Sequence, residues 1–148
     1  MTNTKRPPHT FDAWRLFREG GVLEGTFDVA HGPRIAELVA EGAEPVAWRI
    51  EATTDRAGRP ALAISLDGAV AVECQRCLGR VEVPVARRTV ALLAKSEADA
   101  DALDADSDDE VLVADRPLEP DALVEDELLL TLPFAPMHDE GRCEAGGG

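Results

Sequence analysis

The sequence predicts an α+β fold, an antiparallel meandering sheet or partial barrel covered by two helices. Three observations predict it. Strand-like runs rich in Val, Ile and Thr follow one another from Gly21 to Leu93, broken by turns that contain Gly and Asp. An apolar stripe at i, i+4 spacing, Val124, Leu128 and Leu132, lies between Pro120 and Pro133. The resulting order is strand, helix, several antiparallel strands, acidic stretch, strand, helix, with no evident internal repeat.

In chain order, "GVLEGTFDV" (Gly21–Val29) alternates partially and reads as a strand. Gly32–Gly42 reads as a short helix, with Pro33 in its first turn, Ile35, Leu38 and Val39 on one face, and Gly42 just past its end. Two strands follow, "PVAWRIEATT" and "PALAISLDGAVAVEC", joined by "DRAGR", whose Asp55 and Gly58 suit a hairpin loop. The second runs into a Cys-x-x-Cys turn, and "RVEVPVARRTVALL" leaves it as another strand with Val81, Val83 and Val85 on one face. Residues 95–110, "KSEADADALDADSDDE", are low-complexity acid with little to bury, so they read as a flexible, solvated loop. Val111–Ala114 fits one more strand. "EPDALVEDELLLTLP" is the clearest helix: Pro120 or Asp121 opens it, Glu125, Asp126 and Glu127 favour the positive end of its dipole, and Pro133 stops it. Its Val124, Leu128 and Leu132 stripe reads as core.

A chain of 148 residues fits a single domain, here residues 1–148, with a core that needs no disulfides. No run approaches the roughly 18 apolar residues of a membrane span. The start has Lys5 and Arg6, then Pro7, Pro8, His9 and Asp12 where the apolar part of an export signal belongs. A cytoplasmic location is the expectation, where thiols stay reduced, bind metal or do redox work; an odd count of three cysteines agrees. The net charge of -14 is unevenly spread. Residues 1–96 hold 13 Lys or Arg against 12 Asp or Glu, whereas residues 97–148 hold 2 against 17. Acid repels phosphate, so direct RNA contact is expected in the first two thirds.

The chemistry centres on "VECQRCLGRVEVPV". Cys74 and Cys77 sit on a turn between strands, where two sulfurs can meet one tetrahedral ion. His138 and Cys143, in "PMHDEGRCE", complete a set of four zinc-type ligands in two distant pairs. Structural thiols without metal are one alternative. A redox dithiol is another, which requires a lowered thiol pKa; Arg76 and Arg80 favour a thiolate there, but a turn between strands offers no helix dipole. His9 and His31 have no nucleophile at a telling spacing, no glycine-rich phosphate loop occurs, and the clustered carboxylates look like solvated loop.

Together "VECQRCL", the acidic stretch, "LVEDELLLTLP" and the downstream His and Cys resemble the YceD family, over about Val72 to Glu144. The resemblance implies a cytoplasmic, non-catalytic factor supporting 23S rRNA accumulation and large-subunit biogenesis. Within that frame, zinc on Cys74, Cys77, His138 and Cys143 would be a structural pin between hairpin and tail. Two partner modes fit the charge division. Arg76, Arg80, Arg87 and Arg88 are candidate nucleic-acid contacts, although strand alternation sends Arg87 and Arg88 to opposite faces. The acidic stretch and the helix face suit a basic ribosomal protein or assembly factor, the slightly favoured mode. No membrane partner is expected. The alternative from another class is a zinc-dependent or thiol redox enzyme; three cysteines and a histidine would close a zinc site to water, which disfavours hydrolysis.

Overall fold

Alternation of buried and exposed side chains along a few long strands decides which face of the sheet meets the helices. The protein is described by a computed structural model that covers residues 9–40, 42–74, 77, 79–106 and 110–132. Among these the sheet order is β1 (Val22–Phe27), β2 (Val46–Thr54), β3 (Pro60–Glu73), β4 (Arg80–Ala94) and β5 (Glu110–Val113). Neighbours from β1 to β4 pair antiparallel and β5 lies parallel to β4. The fold is α+β, with an open sheet that does not close into a barrel. Trp48 and Ile50 of β2, Leu62, Ile64, Leu66, Val70 and Val72 of β3, and Val81, Val85 and Leu93 of β4 form one core with the helices.

Three α-helices occur among the described residues: α1 (Ala13–Glu19), α2 (Glu97–Asp106) and α3 (Pro120–Thr131). The first is absent from the sequence reading. Asp12 caps it by accepting the Arg15 N–H at 3.1 Å, and Gly20, in the left-handed region at φ 61°, ends it. Phe11 and Leu118 exchange backbone hydrogen bonds of 2.8 Å, which ties this end of the chain to the segment before α3.

The helix expected over Gly32–Gly42 is replaced by two 3-10 turns, Val29–His31 and Ile35–Glu37, followed by a bridge from Val39 to Val72. The expected apolar face is not one face: Ile35 is fully buried, whereas Leu38 is 51% exposed. The chain leaves helical geometry to pair with β3, the Ala40 N–H donating to the Ala71 carbonyl at 2.7 Å.

The acidic stretch, expected as a loop over 95–110, forms α2 over Glu97–Asp106, and residues 107–109 lie outside the described residues. Ser96 Oγ accepts the Asp99 N–H at 3.1 Å and Asp99 Oδ2 accepts the Lys95 N–H at 2.9 Å, a reciprocal pair that nucleates the first turn. Topology demands a crossover as well, because parallel strands cannot be joined by a hairpin. The helix packs against β4 and β5 with Ala100 and Leu103 half-buried, and Asp106 accepts from Arg59 Nη1 at 2.9 Å.

The stripe on α3 is core as expected: Val124 and Leu128 are fully buried and Leu132 packs on the same cluster. Its acids do more than sit at the positive end of a dipole. Glu125 and Glu127 are only 2% and 3% exposed and turn inward. Glu125 Oε2 accepts the backbone N–H groups of Arg34 and Ile35 at 2.7 and 2.8 Å, which are orphan donors at the start of a 3-10 turn, while Oε1 accepts from Arg34 Nε at 3.3 Å. Asp126 takes the far end of the same guanidinium. Glu127 Oε1 accepts from Arg87 Nε at 2.9 Å and Thr89 Oγ1 at 2.8 Å on β4. Gly32 makes the first of these arrangements fit, since a Cβ there would lie 2.6 Å from Ile35 Cγ2 and 2.8 Å from Glu125 Oε2.

Burial alone would raise the Glu125 pKa, but the N–H groups of Ile35 and Arg34 and the Arg34 guanidinium together hold it below its ordinary 4.5. A lowered native pKa adds stability above the unfolded value, lost as pH falls through the native one. Glu125→Ala, which orphans both N–H groups, should cost about 3 kcal/mol and Glu125→Gln less, measured by urea unfolding at pH 7. The gap between wild type and Glu125→Gln should narrow as pH falls below 4.5. At Glu110 the sign is opposite: burial, then the charge of Glu127 and a hydrogen bond to it, push the pKa up. Its contribution is fully present below the unfolded value of 4.5 and declines as pH rises through the native one. Glu110→Gln should therefore stabilise the protein at pH 7 by under about 1 kcal/mol, screened by solvent, with the gain vanishing at acid pH in the same titration.

Candidate functional site

The Cys-x-x-Cys turn joins β3 directly to β4. Cys74 follows the last residue of β3 and is fully buried, and its N–H donates to the Gly79 carbonyl at 2.7 Å, closing the turn. The Cys77 N–H donates to Cys74 Sγ at 3.5 Å, and Cys77 is half-buried. The two cysteines are not joined in a disulfide. An N–H aimed at a sulfur favours the thiolate, the form that binds metal, so this half of the expected site has donor chemistry that fits zinc. His138 and Cys143 lie outside the described residues, and among the described residues no third His, Cys, Asp or Glu joins the pair. Among the described residues no helix begins at the turn, and none there supplies the dipole that commonly activates redox thiols.

Arg76 lies outside the described residues. The other arginines near the knuckle are dispersed. Arg87 faces the core side of the sheet beside α3, where Glu127 at 2.9 Å and Thr89 at 3.1 Å hold its Nε. Arg88 points to the opposite face, as strand alternation requires, and pairs across β3–β4 with Ser65. Arg80 shares the Arg88 face, with its Nε 2.6 Å from Glu82 Oε2. Eight residues of strand separate those two, a span of roughly 26 Å at the usual rise. The structure does not gather Arg80, Arg87 and Arg88 into one patch.

The acids divide as sharply. On α3, Glu125, Asp126 and Glu127 are spent on Arg34, Arg87 and backbone N–H groups, so these three do not form a free acidic surface. On α2 no residue is fully buried. Asp99 caps and Asp106 pairs with Arg59, which leaves Glu97, Asp101 and Asp104 exposed. Their i, i+4, i+7 spacing puts three exposed carboxylates in one row, which runs beside half-buried Ala100. The Ser96 to Asp99 spacing is the sequence signal that reveals this helix.

No helix among the described residues is long and apolar enough to cross a membrane. No curated protein and no solved structure matches the chain. A family model described as "Large ribosomal RNA subunit accumulation protein YceD" matches residues 62–147, from β3 through the knuckle, α2 and α3 to the segment holding His138 and Cys143. With more than half of its length matched, and the knuckle and the paired acids of α3 inside the match, the chain belongs to the YceD family, whose name assigns it a role in the accumulation of large-subunit ribosomal RNA.

Proposed function

We propose that the protein is a non-catalytic, cytoplasmic factor that supports 23S rRNA accumulation by holding a basic ribosomal protein or assembly factor on α2. The row of Glu97, Asp101 and Asp104 carries this reading, because a helix presents those charges at fixed spacing whereas a loop would average them. Catalysis has little support, since the buried carboxylates are already committed to backbone N–H groups and arginines.

Zinc is part of the same proposal. Cys74 and Cys77 would hold it together with His138 and Cys143, and the ion would supply a structural pin for the carboxyl-terminal segment rather than a reactive centre. The N–H from Cys77 to Cys74 Sγ supports this. Protein purified from zinc-supplemented cells should contain about one equivalent of the metal, as a four-ligand site binds one ion. Cys74→Ser and Cys143→Ser should lose it and be cleaved faster beyond Thr131; wild type without zinc, or variants with unchanged metal and proteolysis, would refute the pin.

For the docking surface, the triple variant Glu97→Gln, Asp101→Asn, Asp104→Asn should keep its melting temperature within about 2 °C, because the replaced side chains are exposed. It should no longer retain nuclease-treated protein stripped from large ribosomal subunits, which wild type should retain at low salt and release at high salt. Retention that disappears on nuclease treatment of wild type would mean that RNA, not protein, is held.

A further inference from the structure

Arginines among the described residues are mostly spent on carboxylates: Arg15 on Glu19, Arg34 on Glu125 and Asp126, Arg49 on Glu24 and Glu51, Arg59 on Asp55, Arg80 on Glu82, Arg87 on Glu127. Arg18 and Lys95 make no ion pair among the described residues, and they line one groove. That groove, about 680 Å³ and open to solvent, runs between α1 and the segment from Ala114 to Pro117, with Trp14 and Phe17 in its wall and Arg116 at its rim. Its acids are partly occupied: Asp12 caps α1, and Asp115 accepts from Arg116 Nε at 3.3 Å.

The aromatic wall is fixed in place. Trp14 Nε1 donates to the Ala114 carbonyl at 3.1 Å, and the Phe11–Leu118 exchange fastens the same two segments just beyond. The Lys95 ammonium lies 5.9 Å from the Trp14 ring centroid, in the position of a cation over a π face. Both rings are half-buried, and both unpaired cations are exposed. Flat rings beside exposed cations suit a ligand that is itself flat and anionic along a chain. Bases pack on rings and phosphates take the cations, a combination tolerant of sequence.

We infer that this groove binds single-stranded RNA, its bases against Trp14 and Phe17 and its phosphates at Arg18, Lys95 and Arg116. An acidic peptide would use the cations but leave the ring surfaces without a comparable partner. The site is distinct from the arginines around the knuckle and independent of the docking of a basic protein on α2. The two together would place a basic protein and an RNA strand on one molecule.

The test uses the full chain and a mixed-sequence RNA of about ten nucleotides, a length within the range that such platforms cover. Trp48 is buried at 3% exposure, so quenching of tryptophan fluorescence reads Trp14. Saturable quenching that weakens with salt is expected. The double variant Arg18→Ala, Lys95→Ala should bind roughly tenfold more weakly at unchanged melting temperature, as losing two phosphate contacts and a ring partner implies. A control removing two other cations with no ion pair among the described residues, Arg56→Ala and Arg88→Ala, should change affinity by no more than about twofold. Absence of quenching, or an equal loss in the control, would overturn the site. A heptaglutamate peptide that displaces the RNA at lower concentration would reassign the groove to acidic peptides. The α2 triple variant should bind this RNA as wild type does, so failure of protein docking and failure of RNA binding are separable.

Discussion

One buried carboxylate organises the molecule. Glu125 comes from the last helix, yet the donors it satisfies belong to a turn about ninety residues earlier in the chain. A charge in that position is tolerable only when fully hydrogen-bonded, so the helix cannot slide or rotate without exposing two N–H groups and an ion at once. The bare backbone of Gly32 permits the approach, and Arg34 grips both Glu125 and Asp126 from outside. Glu127 repeats the device toward β4. Gly32 and Arg34 lie upstream of the matched residues 62–147, so the amino-terminal third supplies the counterpart that the family-matched segment needs.

Committing those acids to the interior changes what the strongly negative last third offers to other molecules. Among the described residues, charge that looks continuous in composition is split into a structural share, held under the sheet by Glu125 and Glu127, and a displayed share that includes the row on α2. Basic side chains among the described residues are divided in the same way, most being neutralised locally, with Arg18 and Lys95 left without an ion pair at the α1 groove and Arg56 and Arg88 elsewhere. Net charge by itself would have suggested one surface of one sign.

Legibility followed the range of the interactions. The strands and the last helix were readable because period-two runs, Pro120 and the Val124–Leu128 stripe are local signals that tertiary contacts reinforce. The hairpin turn between β2 and β3 was readable from Asp55 and Gly58, and Asp55 does accept the N–H groups of Ala57 and Arg59. Gly32–Gly42 misled because its apolar residues serve different neighbours: Ile35 the core beside Glu125, and Val39 the edge of β3. The first helix was missed although Asp12 and Gly20 frame it, since only seven residues lie between its caps. Low hydrophobicity hid α2, where the informative residues were a serine and an aspartate three apart. At the knuckle the spacing of Cys74 and Cys77 announced a turn, but nothing in the spacing announces that Cys74 is sealed in the core. Partners ninety residues apart, as for Glu125 and Arg34, leave no trace in one sequence.

The parallel placement of β5 beside β4 gives the acidic segment a second duty that its composition conceals. It must carry the chain back along the full length of the final paired register, from Ala94 to Glu110. Whatever its side chains hold, its reach is fixed by the strands it joins. Trimming the segment below about a dozen residues would leave the return path too short and strip the four-residue edge strand from the sheet. Engineering of this protein should therefore leave that span at full length.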